Sequence, residues 1–87
     1  MIGYLIIVRD KELYEKVKNI NGLTLAYNPI IVIYSDILTC KDFDNDDEML
    51  FKTCHVVNNE SELKEALNNI LNNEVKEKIL TLARLLS

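Results

Sequence analysis

The stretch YLIIV at Tyr4–Val8 decides the fold predicted for this chain. Five consecutive apolar residues are too few for a useful helix, and they are typical of a strand that is covered on both faces. Asp10 then stands where an N-cap is expected, and Gly22 supplies a C-terminal stop. Apolar residues recur between them at helical spacing: Leu13, Val17 and Ile20. We therefore predict a central strand, a turn and an amphipathic helix.

Two later stretches also predict strands. Residues 30–34 (IIVIY) follow Pro29 directly, and residues 54–57 (CHVV) form a shorter run. Residues 23–27 alternate only weakly between apolar and polar. A two-residue hairpin at Asn28-Pro29 is disfavoured, because primed turns need positive φ and proline is locked near −65°. We therefore expect residues 23–27 not to pair directly with the following strand.

A helix is predicted after the third strand, where Asn59 can cap a first turn that has Glu62 at its third position. One helical face follows, made of Leu63, Ala66, Leu67, Ile70 and Leu71. Asn72-Asn73 weakens this pattern. A second apolar series then restarts it with Val75, Ile79, Leu82, Ala83 and Leu86. The sequence leaves open whether residues 60–86 form one helix or two.

The order of these elements favours an α/β class: a small two-layer or three-layer domain with a mostly parallel three-stranded sheet. A ferredoxin-like α+β topology is the alternative, and it gains weight if residues 23–27 form a full strand. With 87 residues, the chain is predicted to form one domain over residues 1–87.

Charge and cysteine content narrow the classes of function. A formal net charge of −4 with dispersed cations disfavours nucleic acid as a partner. The amino-terminal residues resemble neither a signal peptide nor a membrane span, so we expect a cytoplasmic protein that does not bind membranes. In a reducing cytosol Cys40 and Cys54 are expected to be free thiols. A zinc site made with His55 is disfavoured because paired short spacings are missing.

An acidic stretch, KDFDNDDE at residues 41–48, is the densest charged cluster. Its carboxylates offer the oxygen ligands that Mg²⁺ or Ca²⁺ prefers. Its beginning matches a calcium loop of the EF-hand type, but Asp47 and Thr53 replace the glycine and the bidentate glutamate of that loop. We expect a solvated loop with no cofactor. The candidate metal ligands are Asp36, Asp42, Asp44 and Asp46.

Residues 31–37 (IVIYSDI) resemble the strand of response-regulator receiver domains that ends in the phosphoacceptor aspartate. Residues 62–71 resemble the last helix of that family. The resemblance implies a phosphate-handling role for Asp36, with Asp10 at the neighbouring strand end. The chain is too short for five βα units, and Asn58-Asn59 stands where the family has lysine and proline. For both aspartates a cap or turn role is therefore the stronger expectation.

We expect a non-enzymatic interaction or regulatory module that forms a homodimer or binds another protein. The expected interface consists of Val75, Ile79, Leu82, Ala83 and Leu86, because a small core gains stability by association. The competing interpretation is that these residues cover the second face of the sheet. The alternative function is a receiver-like domain that binds a divalent cation or phosphate through Asp10, Asp36 and the acidic loop.

Overall fold

A computed structural model describes residues 2–25, 28–44 and 50–86 of the chain. Its elements follow in the order β1 (Tyr4–Val8), α1 (Lys11–Val17), β2 (Thr24–Leu25), β3 (Asn28–Tyr34), β4 (Thr53–Val57) and α2 (Glu60–Leu86). Two short 3-10 helices lie at Lys18–Ile20 and Cys40–Phe43. Three of the strands form an all-parallel sheet that is packed against two helices, and this confirms the predicted α/β class.

Strand β1 lies at the centre of the sheet, between β3 and β4. Ile6 is the register partner of both Val32 and His55, and all three strands run in the same direction. The ferredoxin-like alternative is therefore wrong, because that topology has antiparallel neighbours at its centre. A strand with a neighbour on each side and cover on both faces must be apolar throughout, and Tyr4–Val8 is buried at every position.

The pairing of β2 differs from the expectation. Thr24 pairs with Pro29 and Leu25 pairs with Asn28, in antiparallel orientation. The prediction of no direct pairing was wrong because it placed Asn28-Pro29 in the turn, whereas both residues belong to the strand. Proline is tolerated there because it is the second residue of β3, at the side of the sheet that carries only the two-residue β2.

Both helices cover the same face of the sheet. Tyr4, Ile6 and Val8 project from β1 into a core that α1 and α2 complete with Leu13, Leu63, Ala66 and Ile70. Helix α1 begins as predicted, since the Asp10 side chain accepts a hydrogen bond from the Leu13 N–H at 3.1 Å. The apolar core on this face therefore contains no described residue beyond Ile70.

The connection from β3 to β4 covers the opposite face. Leu5 and Ile7 pack there against Phe51, and Phe43 meets Phe51 edge to face at a centroid distance of 5.9 Å. Cys40 and Cys54 form a disulfide, with Cα atoms 5.8 Å apart. The expectation of free thiols was wrong because this connection carries Cys40 back over β1 to the strand that holds Cys54.

Helix α2 is a single helix of 27 residues, which answers the question that the sequence left open. Asn59 accepts a hydrogen bond from the Glu62 N–H at 2.9 Å and so caps its start. Asn72-Asn73 does not interrupt the helix, because an asparagine in a helix interior costs only about 0.7 kcal/mol relative to alanine. The helix is far longer than the strands that it covers.

Candidate functional site

The first part of α2 is fixed to the sheet, and Glu74 makes the strongest of these attachments. Its carboxylate accepts hydrogen bonds from the Tyr4 hydroxyl and, at 2.7 Å, from the Asn28 side-chain amide. Glu74 is only 7% exposed, and Tyr4 is fully buried. Burial, reinforced by the neighbouring Glu74, raises the pKa of Tyr4. This cluster ties α2 to the beginnings of β1 and β3.

An ion pair also ties α2 to the body. The Lys52 ammonium lies 2.7 Å from the Glu77 carboxylate. Beyond Glu77, every residue of positions 78–86 is exposed. We call residues 78–86 the arm; at 1.5 Å per residue it reaches roughly 13 Å past this ion pair. The helix therefore continues for more than two turns in which no residue is buried.

A row of aliphatic side chains runs along α2 into the arm. We call it the apolar stripe, and it consists of Leu71, Val75, Ile79, Leu82 and Leu86. At 3.6 residues per turn these positions fall within about 80° of one another. The sheet-facing set is Leu63, Ala66, Ile70 and Glu74, and its centre lies roughly 135° away around the helix. The stripe therefore faces away from the sheet.

The exposure of the stripe follows from this direction. Val75 is 55%, Ile79 60%, Leu82 59% and Leu86 89% exposed. Ala83 lies beside them and is also exposed. The interpretation that these residues cover the second sheet face is wrong, because Phe43, Phe51 and the disulfide cover that face. Leu71, expected on the sheet-facing side, is 49% exposed and belongs to the stripe.

The carboxylates proposed for phosphate chemistry have other surroundings. The Asp10 side chain caps the N-terminus of α1, which is the role that the sequence favoured. Asp36 is exposed just after β3. Beside it, the Arg9 guanidinium donates to the Ser35 carbonyl at 2.8 Å, and the Ser35 hydroxyl accepts the Ile37 N–H. The ends of β1 and β3 are thus joined by an arginine rather than by paired carboxylates.

The described part of the acidic stretch serves local structure. Asp42 accepts a hydrogen bond from the Thr39 N–H at 2.7 Å and closes a capping box on the 3-10 helix. Asp44 is exposed directly after it. Asp46 lies outside the described residues. Among positions 2–25, 28–44 and 50–86, no three His, Cys, Asp or Glu side chains are grouped so that they could hold a metal ion.

The only histidine lies on the edge strand β4, on the face that α2 covers. Burial lowers the pKa of His55. A shallow cavity of about 230 Å³ opens beside it, lined by His55, Val56, Val57, Glu62, Glu65, Ala66 and Asn69. This lining contains no nucleophile. Because both cysteines are joined in the disulfide, they are neither zinc ligands nor partners for His55 in catalysis.

Sequence reasoning missed Glu74 and Lys52. A signal for Glu74 was present: it continues the spacing of Leu63, Ala66 and Ile70, so a carboxylate falls on the buried face of the helix. Such a group needs hydrogen-bond partners, which Tyr4 and Asn28 supply. Lys52 gave no signal, because its contact depends on where the segment before β4 meets α2.

Comparison with protein-family models, with curated proteins and with solved structures gave no match to this chain. None of the helices in the described part of the chain has the length and apolar character needed to cross a membrane. The functional argument therefore rests on the stripe and on the attachments that present it.

Proposed function

We propose that this protein is a small interaction module that self-associates through the apolar stripe of α2. One observation carries the proposal: α2 extends beyond the ion pair at Glu77 and turns a row of exposed aliphatic side chains away from its own body. Side chains of this kind are buried in most folded proteins, and a contiguous exposed row marks an interaction site.

The length of the arm supports the need for a partner. Helices shorter than about 12–15 residues are marginal in water even with favourable sequences, because tertiary packing supplies most of their stability. The helical start of the arm is fixed by Glu74 and Glu77, but none of the residues 78–86 is buried. Burial of the stripe against another surface would supply the missing stabilisation.

A second copy is the partner that the stripe fits best. From Val75 the side chains recur at intervals of four, three and four residues, which is the alternation that keeps one helix in contact with another. The stripe is narrow, as a helix–helix seam requires, and two identical stripes are complementary under two-fold symmetry. On the same outward face, Lys64 and Asn68 precede Leu71 and limit the contact to the second part of α2.

The size of the stripe predicts a dimer of moderate strength. Full burial of one aliphatic side chain contributes roughly 1.5–3 kcal/mol. Five side chains from each copy, 49–89% exposed in the single chain, provide on the order of 10 kcal/mol before the cost of association, which is about 4–15 kcal/mol. The lower end of that cost leaves about 6 kcal/mol, so we expect a reversible dimer with a dissociation constant of roughly tens to hundreds of micromolar.

The direct test is the absolute mass of the oxidised protein by light scattering over a hundredfold range of concentration. We expect a mass that rises from that of one 10.1 kDa chain to that of two. A mass of one chain at every concentration up to about 1 mM contradicts self-association, because it lies above the expected dissociation constant.

The cytoplasmic location stays a prediction, and the disulfide argues against it, since structural disulfides rarely persist in a reducing cytosol. A reducing cytosol and an oxidising compartment predict different states of the two cysteines. If the protein resides in the cytosol, alkylation in intact cells followed by mass spectrometry should find two alkyl groups on each chain. It should find none if Cys40 and Cys54 are joined in the cell.

A further inference from the structure

We infer that the two copies associate in parallel and in register, as a short two-stranded coiled coil with Asn72 at its base. This inference rests on the proposed self-association and adds the orientation of the partner. It starts from the position of Asn72, which is exposed on α2 seven residues before Ile79, on the outward side of the helix.

The stripe fits the inner positions of a heptad repeat. Val75 and Leu82 occupy position d, Ile79 and Leu86 occupy position a, and Asn72 occupies the preceding a. At the centre of the stripe, Ile79 at a is followed by Leu82 at d, and a β-branched residue at a with leucine at d favours two parallel strands. A single asparagine at a fixes the register, because its amide finds a partner only in the matching asparagine of the other helix.

The two orientations treat Asn72 differently. In a parallel pair, Asn72 meets the same residue of the second copy, and each amide can both donate and accept a hydrogen bond. In an antiparallel pair that matches the whole stripe, Leu71 lies opposite Leu86 and Val75 lies opposite Leu82. Asn72 then falls opposite Leu85, whose side chain offers its amide no hydrogen-bond partner. Only the parallel arrangement uses this side chain.

The residues beside the stripe, and the sheet-containing part of each copy, are compatible with a parallel pair. Positions g and e place Leu71 beside Lys76 of the second copy, and Lys78 beside Ala83, so no two like charges meet. The sheet lies roughly 135° from the stripe around α2. Two bodies at the same end of the pair therefore point outward, away from each other, and do not obstruct the seam.

Cross-linking tests the orientation. Leu82→Cys places one free thiol at position d while the native cysteines stay joined. In a parallel pair this thiol lies opposite the same thiol of the second copy. Mild oxidation with a small disulfide such as oxidised glutathione should therefore give a covalent dimer. Two thiols then lose two protons and two electrons to the oxidant and form one bond. The matched control is Leu80→Cys, which lies outside the stripe and should stay monomeric on a non-reducing gel.

A second variant tests the role of Asn72. Asn72→Ile should lower the dissociation constant about tenfold or more in a parallel pair, because it replaces a buried amide pair with an apolar contact. Thr81→Ile, an equal gain in apolar character on an exposed position outside the stripe, should leave it unchanged.

The outcomes separate the orientation from self-association itself. A dimer of the unmodified protein in which Leu82→Cys fails to cross-link, while a mixture of Val75→Cys and Leu82→Cys chains does so, establishes an antiparallel pair. That result overturns the inference and leaves the proposed function intact. Protein that remains a monomer at every concentration overturns both.

Discussion

The substitution of Leu82 and Leu86 together by glutamate is the perturbation that the geometry of α2 makes most informative. These side chains are 59% and 89% exposed in a single chain. Burial of a whole leucine contributes about 2 kcal/mol, so covering these fractions contributes about 3 kcal/mol per copy. A dimer contains two copies, and the double substitution therefore removes about 6 kcal/mol from association.

A loss of this size has a measurable consequence. At 1.4 kcal/mol per tenfold change, 6 kcal/mol corresponds to a rise of roughly ten-thousandfold in the dissociation constant. A dimer with a dissociation constant of roughly tens to hundreds of micromolar would then be monomeric at every practical concentration. The isolated chain should lose no more than about 1 kcal/mol of its free energy of unfolding, because both side chains are exposed before association. Most of that small loss comes from placing negative charges near the helix C-terminus, where they interact unfavourably with the helix dipole.

Light scattering measures the loss of the dimer, and urea unfolding of dilute protein measures the free energy of unfolding of the single chain. Leu80→Glu is the matched control, since it makes the same chemical change at a leucine that is 49% exposed but lies outside the stripe. The reasoning is refuted if the double variant keeps the mass of a dimer. It is also refuted if Leu80→Glu dissociates the dimer as completely, because the contact would then not follow the stripe.

Three further predictions concern the body. Reduction of the Cys40–Cys54 bond, which spans 14 residues, should remove about 3 kcal/mol of stability and lower the melting temperature by about 10 °C or more; an unchanged melting curve would contradict the covalent closure of the second face. The raised pKa of Tyr4 means that the folded chain holds this proton more tightly than the unfolded chain, so the associated stability is complete below pH ~10 and is lost as the pH rises further. Tyr4→Phe should flatten the urea-unfolding profile between about pH 9 and 11, and an unaltered slope would exclude Tyr4 as its source. The lowered pKa of His55 gives stability that is present above pH ~6.5 and is lost as the pH falls, so His55→Gln should reduce the difference in unfolding free energy between about pH 7.5 and pH 5; an equal difference in both proteins would contradict this assignment.

The regular part of the fold could be predicted from the sequence because local patterns determine it. Tyr4–Val8 is apolar at every position, and only a central strand with cover on both faces buries all of them. Asp10 and Asn59 mark helix starts through side chains that bond to their own backbone neighbours. These signals lie within a few residues of the structure that they specify.

The features that escaped prediction depend on the path of the chain in space. Cys40 meets Cys54 because the connection after β3 returns across β1, and no local pattern records that path. The direction of the stripe also needed the structure. Periodicity places Leu71 near Ile70, but the burial of Ile70 and the contacts of Glu74 show which side of the helix the sheet occupies.

The central position of β1 also affects how the chain comes to be folded. The register partners of Tyr4 stand at Ile30 and Thr53, so the strand emerges from the ribosome well before either neighbour exists. Until β4 has been synthesised, the five apolar residues of β1 lack one of the two strands with which they form backbone hydrogen bonds. Such a segment pairs readily with copies of itself on other nascent chains. Its delayed enclosure makes the interval between synthesis of β1 and synthesis of β4 the period in which this protein is most exposed to aggregation.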